Sequence, residues 1–127
     1  MATATRSSYD RLLEEHCEVH FGCSGFWDRE SMAALLDQLN QTTLPLVKAR
    51  KPIYAAGDFT DFVPQDRETA DLIQRHLHGA MEFGLKRVAI VGASALMKIQ
   101  YTRLSKGLDV DFFQTQSEAL QWLRANR

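Results

Sequence analysis

Three aspartates that lie close together in the sequence, Asp58, Asp61 and Asp66, are the first residues that suggest chemistry. Grouped carboxylates supply the oxygen ligands that Mg²⁺ and Ca²⁺ prefer. A receiver-type phospho-acceptor site would also need an acidic pair after the first strand and a lysine after the last one, and the chain has neither there. Asp66 instead precedes an amphipathic segment, where an aspartate caps a helix. We therefore expect no metal site.

Two histidines and two cysteines near the N-terminus, His16, Cys17, His20 and Cys23, are of the types that bind zinc. Residues 17–23 alternate between apolar and polar, which predicts a strand with His20 on the face opposite both cysteines. Along a strand, the cysteine backbones would be about 20 Å apart, too far for a disulfide. We predict two reduced thiols and no zinc site.

A possible anion-binding segment, Gly92-Ala93-Ser94, follows an apolar run and precedes a helical pattern. It lacks the Gly-x-Gly-x-x-Gly fingerprint, and the chain has no Gly-x-Ser-x-Gly elbow of a hydrolase. A simple helix cap at Ser94 accounts for the segment. Because no nucleophile can be paired with a base, we predict that the protein is not an enzyme and needs no cofactor.

The composition narrows the class of partner. The chain has 15 basic and 16 acidic residues and a net charge of −1, so it has no overall attraction for nucleic acid. We interpret the basic run Lys48, Arg50 and Lys51 as a solvated helix end. No apolar run reaches the ~20 residues of a membrane span, and the polar start has no signal-peptide core. We expect a cytoplasmic protein.

The segment that organises the chain is 86–92, in which four uninterrupted apolar residues, Val88 to Val91, follow two cations and precede a glycine. An uninterrupted apolar strand is typical of a sheet that is covered on both faces. The segment therefore predicts the central strand of a sheet with helices packed over it.

The remaining elements follow from residue periodicity and helix caps. We predict that Pro45 kinks or breaks the first helix near residues 41–45. Strands separated by helices run parallel through right-handed crossovers, whereas the first two strands form a hairpin. The pattern predicts a flexible arm over 1–8 and one α/β domain over 9–127, with a mixed, mostly parallel sheet of four to five strands. Its order is β-β-α-β-α-β-α-β-α, with strands near 9–13, 17–23, 52–59, 86–92 and 109–113, and with helices after Asp28, Asp66, Ser94 and Thr115.

Several of these segments resemble the SpoIIAA-like branch of the STAS superfamily. They are the Val/Ala/Ile-rich strand at 85–92, the strand from Val110 to Phe113, and the helix that reads Glu118-Ala119-Leu120-Gln121-Trp122-Leu123. The segment 53–62 is similar to the preceding strand of those proteins, and the resemblance extends from about residue 9 to 124. It implies a STAS-like fold, a tendency to self-associate and a regulatory role in bacterial signalling.

The chain departs from that family at the phosphorylation site. STAS members that antagonise anti-sigma factors carry a phosphorylated Ser in an Asp-Ser-Ser-Gly-like turn. This sequence reads Asp61-Phe62-Val63-Pro64-Gln65-Asp66 there, without a Ser, and Thr60 and Thr69 are the nearest hydroxyls. We therefore do not expect the phosphorylation switch.

The carboxyl ends of the parallel strands are where open α/β sheets bind ligands. We predict a patch there that binds a protein partner or a second copy, or alternatively forms the mouth of a pocket for a small apolar ligand or lipid. The simpler interpretation is that Trp27 staples its helix and the Phe side chains fill the core. The predicted patch consists of Phe26, Trp27, Phe59, Thr60, Asp61, Phe62, Ser94, Met97 and Phe113.

Overall fold

The computed structural model describes residues 6–127, so the first five residues of the predicted arm lie outside it. Five strands form one sheet: β1 (Ser7–Leu13), β2 (Glu18–Ser24), β3 (Ile53–Asp58), β4 (Leu85–Val91) and β5 (Asp109–Phe113). They lie side by side in chain order, with β1 antiparallel to β2 and the other pairs parallel. The helices are α1 (Arg29–Lys48), α2 (Arg67–Glu82), α3 (Ala95–Leu104) and α4 (Gln116–Leu123). The predicted mixed α/β fold is confirmed.

Three details of the strands differ from the prediction. β1 begins at Ser7, inside the segment predicted to be a flexible arm. The strand predicted to be central, β4, is an interior strand between β3 and β5, and the centre of the sheet is β3. Cys17 is not in a strand, because it ends the short 3₁₀ turn Glu14–His16 with a left-handed φ of 53°. The strand prediction there was wrong by one residue, and β2 begins at Glu18.

The order of the strands decides which face each helix covers. From β2 to β5 the sheet grows in one direction, so right-handed crossovers place their helices on the same face. Accordingly, α1, α2 and α3 share one large core with side chains on one face of the sheet, including Val88 and Ile90. Helix α4 covers the other face, where Ala119 and Leu123 pack against Ala56 and Ala89. The sheet is therefore covered unequally, by three helices on one side and one on the other.

The four helices begin at the predicted caps. Each cap side chain accepts a hydrogen bond from the backbone N–H three residues later, which satisfies one of the free donors of the first turn. Gly84, at a φ of 112°, follows α2 as the predicted stop. The cap bonds are Asp28 to Ser31 at 2.7 Å, Asp66 to Thr69 at 3.0 Å, Ser94 to Met97 at 3.1 Å and Thr115 to Glu118 at 3.2 Å.

Helix α1 is not broken at Pro45, so of the two predicted alternatives near residues 41–45, a kink or a break, the break is wrong. The helix continues to Lys48, and Pro45 accepts a hydrogen bond from the N–H of Ala49 at 3.1 Å. Leu46, only 1% exposed, holds the last turn against the core. The carbonyl of Gln41, which would otherwise accept from residue 45, belongs to an exposed residue that water can solvate. Packing of the last turn thus outweighs the proline penalty.

Replacing Pro45 with alanine should therefore stabilise the protein. Alanine restores the N–H donor and removes the ring from the helix interior, and we expect a gain of about 1–3 kcal/mol in the free energy of unfolding. Urea denaturation measures it. Gln41→Ala, an exposed change in the same helix, should alter stability by only a few tenths of a kcal/mol, and a Pro45→Ala variant no more stable than wild type would contradict this account.

The polar face of β2, which carries Glu18 and His20, contains a buried ion cluster. Glu18 is 0% exposed. Its carboxylate accepts hydrogen bonds from Arg124 at 2.7 and 2.8 Å and from Arg127 at 2.9 Å, and His20 lies 2.9 Å away. The Arg127 guanidinium also lies 3.7 Å from the centre of the Tyr54 ring. β2 is therefore covered on both faces, although alternation of apolar and polar residues is typical of a strand with one buried face, which is what the sequence of this strand predicts.

Candidate functional site

An apolar cavity of about 90 Å³ lies between the sheet and the helices α1 and α2. Apolar side chains of the three inner strands β2, β3 and β4 form its floor, and the two helices form its walls. The floor includes Val19, Phe21, Ala55 and Val88, and the walls include Leu35, Leu36 and Leu39 of α1 and Ile73, Leu77 and Ala80 of α2. The lining of this cavity is mainly apolar.

The packing of α1 explains why the cavity exists. Near its two ends, Met32 and Leu46 are each only 1% exposed and pack tightly in the core. Between them, Leu35, Leu36 and Leu39 are only half-buried, although they lie on the same apolar stripe. The middle of the helix is thus less closely packed than its ends, and the cavity lies beside these leucines. Apolar side chains around an unfilled space favour an apolar occupant.

The polar residues of the cavity wall stay uncharged near neutral pH. Burial lowers the pKa of His76, which keeps its imidazole neutral. Burial, with a smaller contribution from Asp58, raises the pKa of Cys23 to about 12 and keeps the thiol protonated. The hydroxyl of Thr43 donates to the carbonyl of Leu39 at 3.0 Å. The wall therefore suits a neutral ligand, and its thiol is unreactive at neutral pH.

The predicted patch divides into buried and exposed residues. Four of its members are core residues: Trp27, Phe59, Phe62 and Met97 are 6%, 2%, 3% and 0% exposed. Phe26 is 54% exposed, and Thr60, Asp61 and Ser94 are also exposed. Phe113 is half-buried on the other face of the sheet, with its ring 5.6 Å from that of Trp122.

Hydrogen bonds bring the predicted loops together at the carboxyl edge. The N–H of Gly25 donates to Asp61 O at 2.8 Å, and the side chain of Gln65 accepts from Trp27 N at 2.8 Å and donates to Gly25 O at 3.2 Å. The side chain of Gln100 on α3 bonds both backbone groups of Gln65 at 2.9 Å. The loops therefore meet as predicted, but most of their aromatic side chains turn inward.

Ligand crevices of open sheets form where the strand order reverses direction. Here the strands follow chain order throughout. What remains at the edge is a set of exposed apolar side chains around the Gln65–Gln100 junction, which we call the edge patch. The edge patch consists of Phe26, Val63, Leu96 and Ile99, which are 54%, 38%, 67% and 56% exposed.

Two of the aspartates and one of the histidines considered above have structural partners. The carboxylate of Asp58 accepts from Thr60 N at 2.9 Å, Asp66 caps α2, and His20 bonds Glu18. Over residues 6–127, no group of three or more His, Cys, Asp and Glu side chains is placed to hold a metal ion. Within the same range, no helix is both long enough and apolar enough to span a membrane.

Comparison with known proteins informs the fold. No protein-family model and no curated protein matches the chain. Among solved structures, the chain is similar to an uncharacterized protein of the DUF3478 family from Shewanella loihica, which has a SpoIIAA-like fold. The two are 23% identical, the match covers 97% of this chain and 98% of that one, and the TM-score is 0.66. At this identity the likeness concerns the fold alone, and it agrees with the resemblance in the sequence. The chain has a SpoIIAA-like fold.

Proposed function

We propose that this protein is a non-enzymatic binding module that holds a small, uncharged apolar molecule, or the apolar end of an amphiphile, in the cavity between α1, α2 and the sheet. The observation that carries the proposal is the cavity itself: about 90 Å³ of space beneath α1, lined almost entirely by apolar side chains. The cavity reaches the carboxyl end of the sheet, where the sequence predicted a site, at Phe59 and Phe62, two residues of the predicted patch, and it extends from there beneath α1 and α2.

The size of the cavity limits its ligand. A water molecule occupies roughly 10–15 Å³ on this scale, yet it also needs polar partners, so apolar cavities stay dry and bind apolar ligands. Each buried methylene contributes about 0.8 kcal/mol. A tail of five or six methylenes would therefore gain roughly 4–5 kcal/mol, which corresponds to dissociation constants near 1 mM or slightly below. A longer chain would have to extend between α1 and α2.

Filling the cavity should abolish binding without unfolding the protein. Ala80 is half-buried on the cavity wall, so Ala80→Phe places a ring in the ligand's space. We expect at least a tenfold loss of affinity for 1-octanol, measured by backbone amide shifts in NMR titrations. The matched control is Gly79→Ala, one residue earlier in α2, where an added methyl group meets no atom within 4 Å; its octanol affinity should equal that of wild type.

Native mass spectrometry of freshly purified protein tests the same proposal without a chosen probe. A retained small-molecule adduct that is lost in Ala80→Phe supports it. A wild-type protein that carries no adduct and shows no octanol-induced shifts at the cavity contradicts it. Equal octanol binding by wild type and a folded Ala80→Phe variant would also contradict it.

A second candidate is a regulatory protein-interaction module that self-associates through the edge patch, in the signalling role that the resemblance implies. It is favoured by the exposure of four apolar side chains around one hydrogen-bonded junction. The same mass spectra separate the two candidates, since self-association doubles the mass whereas a ligand adds a small increment. A dimer that Leu96→Ser dissociates supports this candidate, and a monomer at every concentration contradicts it.

A further inference from the structure

A second concave site lies at the opposite end of the sheet from the edge patch. It is a cleft of about 740 Å³ between the turn after α1 and the turn after α2, here called the basic cleft. It shares no lining residue with the apolar cavity, so the two sites can be tested independently. Its lining consists of Val47, Arg50, Lys51, Pro52, Tyr54, Glu82, Phe83, Gly84 and Lys86.

The charge of the basic cleft is mostly unpaired. Arg50, Lys51 and Lys86 are exposed, and none of them forms a salt bridge or a side-chain hydrogen bond with any residue between 6 and 127. Glu82 is the one carboxylate of the lining. Three cations that converge on a concave surface, against one acid, create a local positive potential that attracts an anion.

Next to these cations the basic cleft presents apolar surface. Phe83 is 63% exposed although it is large and apolar, and Pro52 is exposed beside it in the lining. A ring face in this position can stack on a flat apolar group. The combination of unpaired cations and an exposed ring selects an anion that also carries an apolar, preferably planar, part.

The backbone of Arg50 has a conformation that normally requires glycine. Its φ is 55°, and it occupies the left-handed position of a helix-ending motif. Arg50 N–H donates to Val47 O at 3.1 Å, and Lys51 N–H donates to Leu46 O at 3.0 Å. Glycine adopts this conformation without strain, whereas arginine does so at a cost. The residue that adopts this strained conformation here is one whose charged side chain lines the basic cleft. Backbone strain of this kind is concentrated at functional sites.

The two turns that form the basic cleft are fixed to each other. Ile53 N–H donates to the carbonyl of Gly84 at 2.9 Å. Gly84 has a φ of 112°, and a β-carbon there would lie 3.1 Å from the carbonyl oxygen of Lys51. Close approach of the two backbones therefore depends on this glycine, and this approach holds together Lys51 and Gly84, two residues that line the cleft. A ligand would meet a site that is already formed, which lowers the cost of binding.

We propose that the basic cleft is a binding site for a small organic anion, in which a phosphate or carboxylate group contacts Arg50, Lys51 and Lys86 while a flat apolar group lies against Phe83. Its volume is within the ~300–1,000 Å³ typical of small-molecule sites. Arginine and lysine are the side chains that bind such oxyanions, arginine in bidentate fashion.

Phenyl phosphate is a suitable probe, with inorganic phosphate as its anionic part alone and benzyl alcohol as a neutral aromatic analogue. In NMR titrations we expect phenyl phosphate to shift the amides of residues 50–54 and 83–86, with an affinity at least fivefold above that of inorganic phosphate. Raising the salt concentration should weaken binding. Benzyl alcohol should leave these amides unchanged. Equal affinities for phenyl phosphate and inorganic phosphate, or shifts confined to other regions, would overturn the proposal.

Arg50→Gly separates a binding role from a structural one. The glycine relieves the left-handed strain, so the midpoint temperature should rise by roughly 2–6 °C, while affinity for phenyl phosphate should fall at least fivefold. Lys98→Gln, which removes an exposed cation on α3, should leave the affinity unchanged. Lys51→Gln should weaken binding as Arg50→Gly does. Wild-type affinity in a stabilised Arg50→Gly variant would overturn the proposal, as would equal losses in Lys98→Gln.

Discussion

Replacing Glu18 with glutamine is expected to lower the free energy of unfolding by about 3 kcal/mol at pH 7. The fully buried carboxylate is the common acceptor for Arg124, Arg127 and His20. Removing one member of a buried ion pair costs about 3–5 kcal/mol, because charges remain without a partner. The two arginines are still 37% and 21% exposed, so water can partly solvate them in the variant, which favours the lower end of that range. Urea unfolding of both proteins measures the difference.

The matched control is Asp109→Asn. Asp109 also pairs with an arginine, Arg87, at 3.3 Å, but its side chain is 60% exposed. An exposed pair contributes only about 0–1 kcal/mol, so the control should remain close to wild type. Equal losses in Glu18→Gln and Asp109→Asn would show that burial of the carboxylate is not what makes the Glu18 cluster important.

The same cluster should make stability depend on pH in the acid range. Burial alone would raise the pKa of Glu18, but hydrogen bonds from Arg124, His20 and Arg127 outweigh burial and lower its pKa from 4.5 to about 2. The unfolded state then binds the proton more readily than the folded state, so the contribution is full above pH 4.5 and is lost as the pH falls toward 2. A shift of this size corresponds to about 3 kcal/mol. Glu18→Gln should lack this part of the pH dependence, and parallel acid-unfolding curves for the two proteins would contradict it.

Phe59→Ala is the second substitution with a large expected effect, a loss of about 3–5 kcal/mol. The ring is 2% exposed and makes edge-to-face contacts with Phe62 and Tyr101 at centroid distances of 4.9 and 5.1 Å. Alanine would leave a cavity among rings that cannot close over it. Thermal or urea unfolding measures the loss, and the variant should still fold at low temperature.

Phe26→Ala is the control from the same edge of the sheet. Phe26 is 54% exposed, so its truncation should change stability by no more than about 0.5 kcal/mol. The pair tests two interpretations of the predicted patch, since a core residue affects stability and a surface residue affects association. A Phe59→Ala variant as stable as Phe26→Ala would mean that Phe59 does not support the fold.

Local chemistry explains how much of the fold could be predicted. Helix caps depend on residues within one turn, and Asp28, Asp66, Ser94 and Thr115 all occupy the predicted positions. Strand periodicity and crossover handedness are likewise local or general rules, and they predicted the mixed α/β fold. The misplaced start of β2 came from a left-handed residue, Cys17, since left-handed backbone has no clear sequence pattern when the residue is not glycine.

The ion cluster and the cavity could not be predicted, because both depend on distant residues. Glu18 meets arginines 106 and 109 residues later in the chain. Alternation along β2 predicts only that the Glu18 side chain lies on the face of the strand opposite Val19. The cavity results from α1 packing closely at Met32 and Leu46 but not between them. The apolar stripe of α1 was visible in the sequence, but its distance from the sheet was not. Which aromatic residues of the predicted patch turn inward also depends on packing between distant segments, and Trp27, Phe59 and Phe62 are buried whereas Phe26 is exposed.

Sequential strand order also has a consequence for how the chain assembles during synthesis. Every strand pairs with the strand made immediately before it, so a chain that emerges N-terminus first never has to open a finished sheet to insert a later segment. Pairing with the preceding strand keeps the sequence separation of the contacts lower than pairing with a more distant strand would, and lower contact order favours faster folding. A later event of such growth is the arrival of Arg124 and Arg127 at Glu18, by which two cations reach a carboxylate that until then has only His20 of its own strand beside it.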